Sequence, residues 1–258
     1  MGNQFETTVT SLSLDPSLRA VMLTGQGKSF SAGGDLKFLQ DRASDNPISN
    51  AVTMRAFYRR FLPLRTLPVP VIAAVNGSAI GAGFAVALSC DMRLYAHDSK
   101  VGLTFTQLGL HPGMGSTHFL PSLIGHENVA RLLLTGDVIS GTEAVALGLG
   151  LCAAPPELLL PQAPDLARAR KIAANSSSAV KTLTRSLRMR SEPGLKAALQ
   201  VTLAFRSLFG CRCCSFVVAI MAAAVVETEC WIPVPYVTLS AQREADAQAQ
   251  TYGMADYR

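Results

Sequence analysis

An α/β fold is predicted by three features of the sequence. Two apolar runs of strand length, Ala20–Thr24 and Val71–Val75, each end at a glycine-containing loop and lead on towards residues with helical periodicity. The order strand, loop, helix then repeats with short crossovers, as in α/β domains. Hydrophobic residues make up 49% of the 258 and charged residues only 16%, below the roughly 25% of ordinary soluble domains, so broad buried faces are expected.

Along the chain, Asp15-Pro16-Ser17 ends a short helix-like lead and is followed by the first strand, which stops at Gly25. Residues 25–34 are rich in glycine and small side chains and read as a loop. From 49 to 67, apolar residues such as Val52, Phe57, Phe61 and Leu64 recur at helical spacing, and Pro68 and Pro70 stop that helix. The strand Val71–Val75 turns at Asn76-Gly77 into a second small-residue loop, 78–83, before a helix over 84–89. Short strands are predicted at 92–95 and 100–103, and a glycine-proline loop at 110–115. Ser140-Gly-Thr-Glu143 has the form of a capping box, and Gly148 closes the helix it starts. Residues 149–153 suit a further strand. Pro155, Pro156, Pro161 and Pro164 then introduce a polar, mostly helical stretch over 165–199. No internal repeat is visible in the residues.

The balance of 23 basic against 18 acidic residues gives a net charge of +5. Nucleic acid would need a clustered basic face, and the clusters here, 55–65 and 181–190, are small, so a phosphate-bearing small molecule fits as well. The first ten residues lack the basic and apolar regions of a signal peptide. The longest apolar run, 216–226, falls short of the ~20 residues of a membrane span.

Chemistry is expected at two loops, Phe30-Ser-Ala-Gly-Gly-Asp-Leu36 and Asn76-Gly-Ser-Ala-Ile-Gly-Ala-Gly-Phe84. Small residues let a ligand approach the main chain, and a helix start leaves about four N–H groups without partners and carries partial positive charge. Such a place holds a phosphate or a developing oxyanion. The plainer alternative is a pair of tight turns under close helix packing. Gly81-Ala-Gly-Phe-Ala-Val-Ala87 also imitates a dinucleotide fingerprint, but the residue twenty beyond Gly83 is Leu103, and Asp98 is the nearest acidic candidate.

The chain resembles the enoyl-CoA hydratase/isomerase family, the crotonase superfamily, from about Leu14 to Gln200 and again from Arg243 to Arg258. The resemblance lies in Arg19-Ala-Val-Met-Leu-Thr-Gly25, Phe30-Ser-Ala-Gly-Gly-Asp-Leu-Lys37, Pro68-Val-Pro-Val-Ile-Ala-Ala-Val-Asn-Gly77, Gly81-Ala-Gly83, Ser89-Cys-Asp-Met-Arg93, Leu108-Gly-Leu-His-Pro-Gly-Met-Gly115, and Leu134-Thr-Gly-Asp137 with Ala146-Leu-Gly-Leu149. It implies a crotonase-like spiral of ββα units, a helical C-terminal region that builds homotrimers or hexamers, and a role in fatty acid metabolism. The substrate it implies is an acyl-CoA thioester, with coenzyme A arriving as part of the substrate and no further cofactor or metal. By position, the backbone N–H groups of Ala32 and Ala82 form the oxyanion hole. Ser31, Gly33, Gly34, Asp35, Leu36, Lys37 and Gly81 bind substrate.

The acid/base positions depart from the family. Where hydratases of this type carry two glutamates, this chain has Ala85 and Phe105, which line the substrate site but neither orient water nor carry a proton. Nearby polar groups are Thr104, Thr106, His111 and His118. His111 precedes Pro112-Gly113 at the loop that faces the acyl group in the family, and an imidazole suits proton transfer near neutral pH. Asp35 and Asp91 read as braces of turns rather than as acids. Two functions follow: an acyl-CoA enzyme of hydratase/isomerase type that stabilises a thioester enolate, or a catalytically silent homologue that binds acyl-CoA or serves as an oligomer subunit. A dinucleotide-dependent oxidoreductase would rest on Gly81-Ala-Gly83 alone.

Four parts are expected: a core over 1–155, a helical region over 156–200, an insertion over 201–242, and a resumed C-terminal helix over 243–258. Family members begin with a pair of strands before the lead helix, and this chain begins inside or after them, so the N-terminal strands are expected to be missing: either the sequence starts late, the favoured reading, or the protein lacks strands of its own sheet and leaves an edge open. The insertion holds Cys211, Cys213, Cys214, Cys230 and Trp231, the single tryptophan. Removing it joins Gln200 to Arg243 in one amphipathic helix. A valine codon begins GT and a glutamine codon can end AG, so the segment has the form of an unspliced intron translated in frame; its absence from the transcript between codons 200 and 243 is the expected result. The adjacent Cys213 and Cys214 and the lack of paired C-x₂-C spacing argue against zinc. Without the segment, Cys90 and Cys152 remain, as expected of a reduced, soluble intracellular protein, whether cytoplasmic, mitochondrial or peroxisomal.

Overall fold

The computed structural model describes residues 2–35, 37, 38, 41, 45–159, 164–189, 191–208 and 236–239. Helix α1 (Gly2–Ser13) leads into β1 (Ala20–Thr24), β2 (Ser29–Ser31) and helix α2 (Pro47–Phe61). Next come β3 (Val71–Val75), β4 (Ser78–Ile80) and α3 (Ala82–Ser89), then β5 (Met92–Ala96), β6 (Lys100–Gly102) and α4 (Ser116–Thr135). The order continues with β7 (Val138–Ser140), α5 (Gly141–Ala146), β8 (Cys152–Ala154), α6 (Pro164–Ala174), α7 (Ser177–Met189), α8 (Glu192–Leu208) and β9 (Tyr236–Leu239).

A repeat invisible in the residues is plain in the backbone. Each of the first three turns places one strand in each of two sheets and then a helix: β1, β3 and β5 in one, β2, β4 and β6 in the other. The first sheet has the order β8-β5-β3-β1-β9, the second β2-β4-β6-β7. This is the spiral of ββα units. The two small-residue loops predicted from the sequence therefore each contain a short strand, β2 and β4, which pair in parallel with Ser31 opposite Ala79.

The apolar runs of β1 and β3 are buried on both faces, as parallel strands between layers must be. Val21, Leu23, Val71, Ala73 and Val75 face the main core with Phe30, Phe84 and Tyr95. The alternate residues Met22, Ile72 and Ala74 face a second cluster with Leu94, Leu159 and Ala169, so α6 covers the other side. Helix α2 starts where Asn46 accepts the Ile48 N–H and Pro47 stands in the first turn. The helix predicted over 49–67 ends earlier, at Phe61, and runs on as a 3₁₀ turn over Leu62–Thr66, since Pro63 has no N–H to continue the α ladder. The capping box forms as read: Ser140 Oγ accepts the Glu143 N–H at 3.1 Å, and Glu143 accepts the Ser140 N–H at 2.8 Å.

Among the described residues, the edge of β1 away from β3 is paired. Strand β9 pairs with β1 antiparallel, Met22 opposite Val237, and supplies partners to an outer row of N–H and C=O groups that a buried edge requires. Of the expected insertion, the described parts are thus the end of α8, which runs through Gln200 to Leu208 without a break, and β9. Cys211, Cys213, Cys214, Cys230 and the resumed helix over 243–258 lie outside the described residues. Among the described residues, no helix is long and apolar enough to cross a membrane, and no His/Cys/Asp/Glu group has the grouping of a metal site.

Candidate functional site

The ends of β2 and β4 lie side by side, and the residues that follow them touch. Gly33 has φ +96°, a left-handed conformation open to glycine, and a Cβ there would sit 2.6 Å from the Ile80 carbonyl oxygen and 3.4 Å from the Ala82 nitrogen. A Cβ on Gly83 would lie 2.4 Å from the Ser31 carbonyl oxygen, so only glycine lets the first turn of α3 rest on β2. The structure thereby brings together Ser31, Ala32 and Gly33 with Gly81, Ala82 and Gly83. Asn76, which the sequence showed as a turn residue, fixes the approach: its side-chain oxygen accepts the Gly25 N–H at 2.9 Å, and its amide donates to the carbonyls of Gly25 and Gly27.

Helix α3 starts two residues earlier than the sequence implies. Gly81 is its N-cap at φ 54° and ψ −118°, and the Gly81 N–H donates to Gly102 at 2.8 Å. The first bond of the helix runs from the Ala85 N–H to the Gly81 carbonyl at 3.0 Å. Ala82 is the first helical residue, so its N–H has no acceptor within the helix. Beside it stands Ala32, exposed, in the segment between Ser31 and Gly33. Ser31 Oγ accepts the Gly33 N–H at 3.3 Å.

Both positions at which the resemblance leads one to expect glutamates, Ala85 and Phe105, are apolar and buried. Ala85 lies inside α3, fully buried, and the ring of Phe105 ends 4.0 Å from where a Gly81 Cβ would be. The Leu110 N–H donates back to the Phe105 carbonyl at 2.9 Å, and His111 follows directly. The loop from His111 to Gly115 is held from two sides. Gly113 lies against the Tyr58 hydroxyl of α2 and Gly115 against Leu195 of α8, while the fully buried Met114 is kept at φ 54°. A non-glycine residue in that region costs about 1–3 kcal/mol and persists only where packing over-determines it, a pattern concentrated at functional loops. His111 Nδ1 lies 3.3 Å from Thr202 Oγ1 of α8, a partner the sequence did not reveal.

The other polar candidates are committed elsewhere. The Thr106 hydroxyl donates to the Leu133 carbonyl at 2.9 Å. His118 stacks edge-on against Phe119, and burial, with Arg65 nearby, pushes its imidazole below the ordinary value while Glu192 opposes this. Asp35 accepts the Lys37 N–H at 2.8 Å and so braces its turn; Leu36 lies outside the described residues, and Lys37 is exposed. Asp91 accepts the Val71 N–H at 2.7 Å and pairs with Arg188. Burial pushes the Cys90 thiol up to about 12, which keeps it protonated and inert as a nucleophile.

Known proteins resemble this chain in sequence and in fold. The family model described as enoyl-CoA hydratase/isomerase matches residues 3–209. A crotonyl-CoA hydratase of Syntrophomonas wolfei is 37% identical over 169 residues, 64% of this chain and 62% of the relative, so the chain spans less than two thirds of that protein. A short-chain-enoyl-CoA hydratase of Clostridium acetobutylicum is 34% identical over 194 residues, 75% of this chain and 71% of the relative. A crystal structure of an enoyl-CoA hydratase/isomerase from Mycobacterium paratuberculosis superposes with a TM-score of 0.74 at 28% identity, covering 85% of this chain and 86% of that one. With the ββα spiral and the paired glycine segments already in place, the chain belongs to the enoyl-CoA hydratase/isomerase family.

Proposed function

We propose that this protein is an acyl-CoA thioester enzyme of the hydratase/isomerase type, which stabilises a thioester enolate with the N–H groups of Ala32 and Ala82. The observation that carries the proposal is the contact between Gly33 and the Ile80–Ala82 backbone at the start of α3, which sets two donor-bearing segments beside one helix N-terminus. Donors fixed there by the fold need no reorganisation as charge moves onto the thioester oxygen, and the helix dipole adds to them. Ser31, Gly33, Gly34, Asp35, Leu36 and Lys37 line the coenzyme A side, with the exposed ammonium of Lys37 available to its phosphates. Gly81, Ala85 and Phe105 make the acyl side apolar, which strengthens the hydrogen bonds by keeping water out.

Proton transfer falls to His111, the imidazole on the strained loop tied to Phe105. Hydration through two glutamates is closed to this chain, so enolate chemistry with one base, an isomerisation or decarboxylation, or hydration through His111, is what its residues can perform. The retained glycine segments are shared by the other reading, a silent acyl-CoA-binding homologue, which Ala85 and Phe105 favour. Assays with crotonyl-CoA, a 3-enoyl-CoA and a malonyl-type thioester separate the two. Turnover of at least one is expected, with a loss of about 10²-fold or more in His111→Ala. Tight acyl-CoA binding without turnover on any of them means the silent homologue, and binding of NAD without coenzyme A overturns both. A homotrimer or hexamer belongs to the same reading. Leu183, Leu187 and Met189 of α7 are exposed apolar residues of the helical region that the resemblance assigns to assembly, and light scattering of the purified chain reads the mass.

A further inference from the structure

We propose that the outer edge of β1 is a strand-docking site whose occupant is this chain's own strand β9 (Tyr236–Leu239), so that the segment expected as an insertion has a working place in the fold. The inference does not depend on the proposed reaction. Along a strand, the backbone N–H and C=O groups of successive residues point to opposite edges. The Val21 N–H donates to the Pro70 carbonyl at 2.9 Å, on the side of β3, so the groups of Ala20 and Met22 point the other way. Both residues are buried, and a buried backbone group without a partner carries the full cost of leaving water. Strand β9 meets this row in a register that sets Ala20 opposite Leu239, Val21 opposite Thr238, Met22 opposite Val237 and Leu23 opposite Tyr236. Antiparallel partners alternate between pairs that exchange both N–H···O bonds and pairs that exchange none. Leu239 and Val237 are therefore the bonded partners, and Thr238 turns its N–H outward, where among the described residues no further strand follows. The other strands of this sheet pair in parallel, and β9 alone runs antiparallel, as a strand laid onto an existing edge and not as a further ββα turn. Joining Gln200 to Arg243 would remove β9 with the rest of 201–242 and leave the outward groups of Ala20 and Met22 bare.

Residue-resolved amide exchange in the full chain reads the pairing directly. Val237→Pro removes the N–H that pairs with the Met22 carbonyl, whereas Thr238→Pro removes an N–H that points outward, where an edge strand tolerates proline. In the unsubstituted chain the Met22 amide is expected to be protected. In Val237→Pro its exchange is expected to quicken by about tenfold or more, and in Thr238→Pro to stay near the parent rate. The Val21 amide, bonded to Pro70, is expected to change less. Where Val237→Pro opens the whole of β1, the contrast between the two prolines still decides, and protection kept in Thr238→Pro upholds the proposal. Equal quickening in both variants, no quickening in Val237→Pro, or a Met22 amide as fast as an unstructured one in the parent overturns it. Light scattering identifies the other occupant: a Met22 amide still protected in Val237→Pro, with a mass above that of the parent, means that a strand of a second copy fills the edge.

Discussion

Ala82→Pro is expected to lower kcat/KM by about 10²–10³-fold, the scale of losing one oxyanion donor, while leaving the fold intact. Proline removes one backbone N–H and fixes φ near −65°, which is the geometry of a first helical residue, and Ala82 holds that position in α3. The residue before a proline is pushed out of the helical region, and Gly81, at φ 54° and ψ −118°, is already in the mirror image of an extended conformation, which an achiral residue adopts as readily. No intrahelical bond is lost, because the ladder begins with the Ala85 N–H on the Gly81 carbonyl. What changes is the N–H that the proposed function aims at the thioester oxygen, together with a ring carbon in its place. Ala82→Gly is the control, since it keeps the N–H and costs about 1 kcal/mol of helix stability at most. Steady-state kinetics on the best thioester of the panel, beside thermal melts of all three proteins, checks the outcome. Full turnover in Ala82→Pro removes Ala82 from the oxyanion hole. An equal loss in Ala82→Gly would instead assign the effect to the backbone around residue 82.

The parts of the site that were legible are those whose cause is local. The continuous apolar runs of β1 and β3, the Ser140–Glu143 box and the two small-residue loops each follow from neighbours in the chain. Strands β2 and β4 did not show, because three residues are too few to set a period and their pairing is decided by sheet contacts. The early start of α3 was hidden for a similar reason. Gly81-Ala-Gly83 has poor helix propensity, and its helix forms there because Gly81 is pinned to Gly102 and Gly83 fits against Ser31. The described partners of Asn76, His111 and Asp91 come from 20 to 97 positions away, beyond any short window of sequence. His111 and Asp91 could be picked out as groups able to do chemistry or bracing. What holds each one in place could not.

Arg188 is the largest of these distant effects, and Arg188→Met is expected to destabilise the protein by about 3–5 kcal/mol, the cost of leaving one member of a buried ion pair alone. In the sequence it is one of several cations in the stretch 181–190. In the structure its side chain is 9% exposed and that of Asp91 22%, and the guanidinium grips the carboxylate with two nitrogens, Nε at 2.9 Å from Oδ1 and Nη2 on Oδ2. The same fork donates to the carbonyls of Arg65 at 2.8 Å, Leu67 at 2.6 Å and Val69 at 3.1 Å, which line the proline-rich entry to β3. Asp91 in turn accepts the Val71 N–H at the first residue of that strand. One cation therefore ties α7 to the start of β3, the strand that leads into Asn76 and the proposed oxyanion loop. Lysine cannot replace it, since an ammonium lacks the planar fork that reaches a carboxylate and three carbonyls together. For a chain of this size each kcal/mol moves the melting temperature by about 2–4 °C, so a fall of roughly 6–20 °C is expected by calorimetry in Arg188→Met and most of it in Arg188→Lys. Adding Asp91→Asn to Arg188→Met removes the stranded charge, and the double variant should melt above the sum of the two single effects. A melting temperature within about 4 °C of the parent in Arg188→Met would mean that α7 is held by its packing alone. The proposed oxyanion loop would then owe its position to Asn76 and the glycine contacts, with no help from the C-terminal helices.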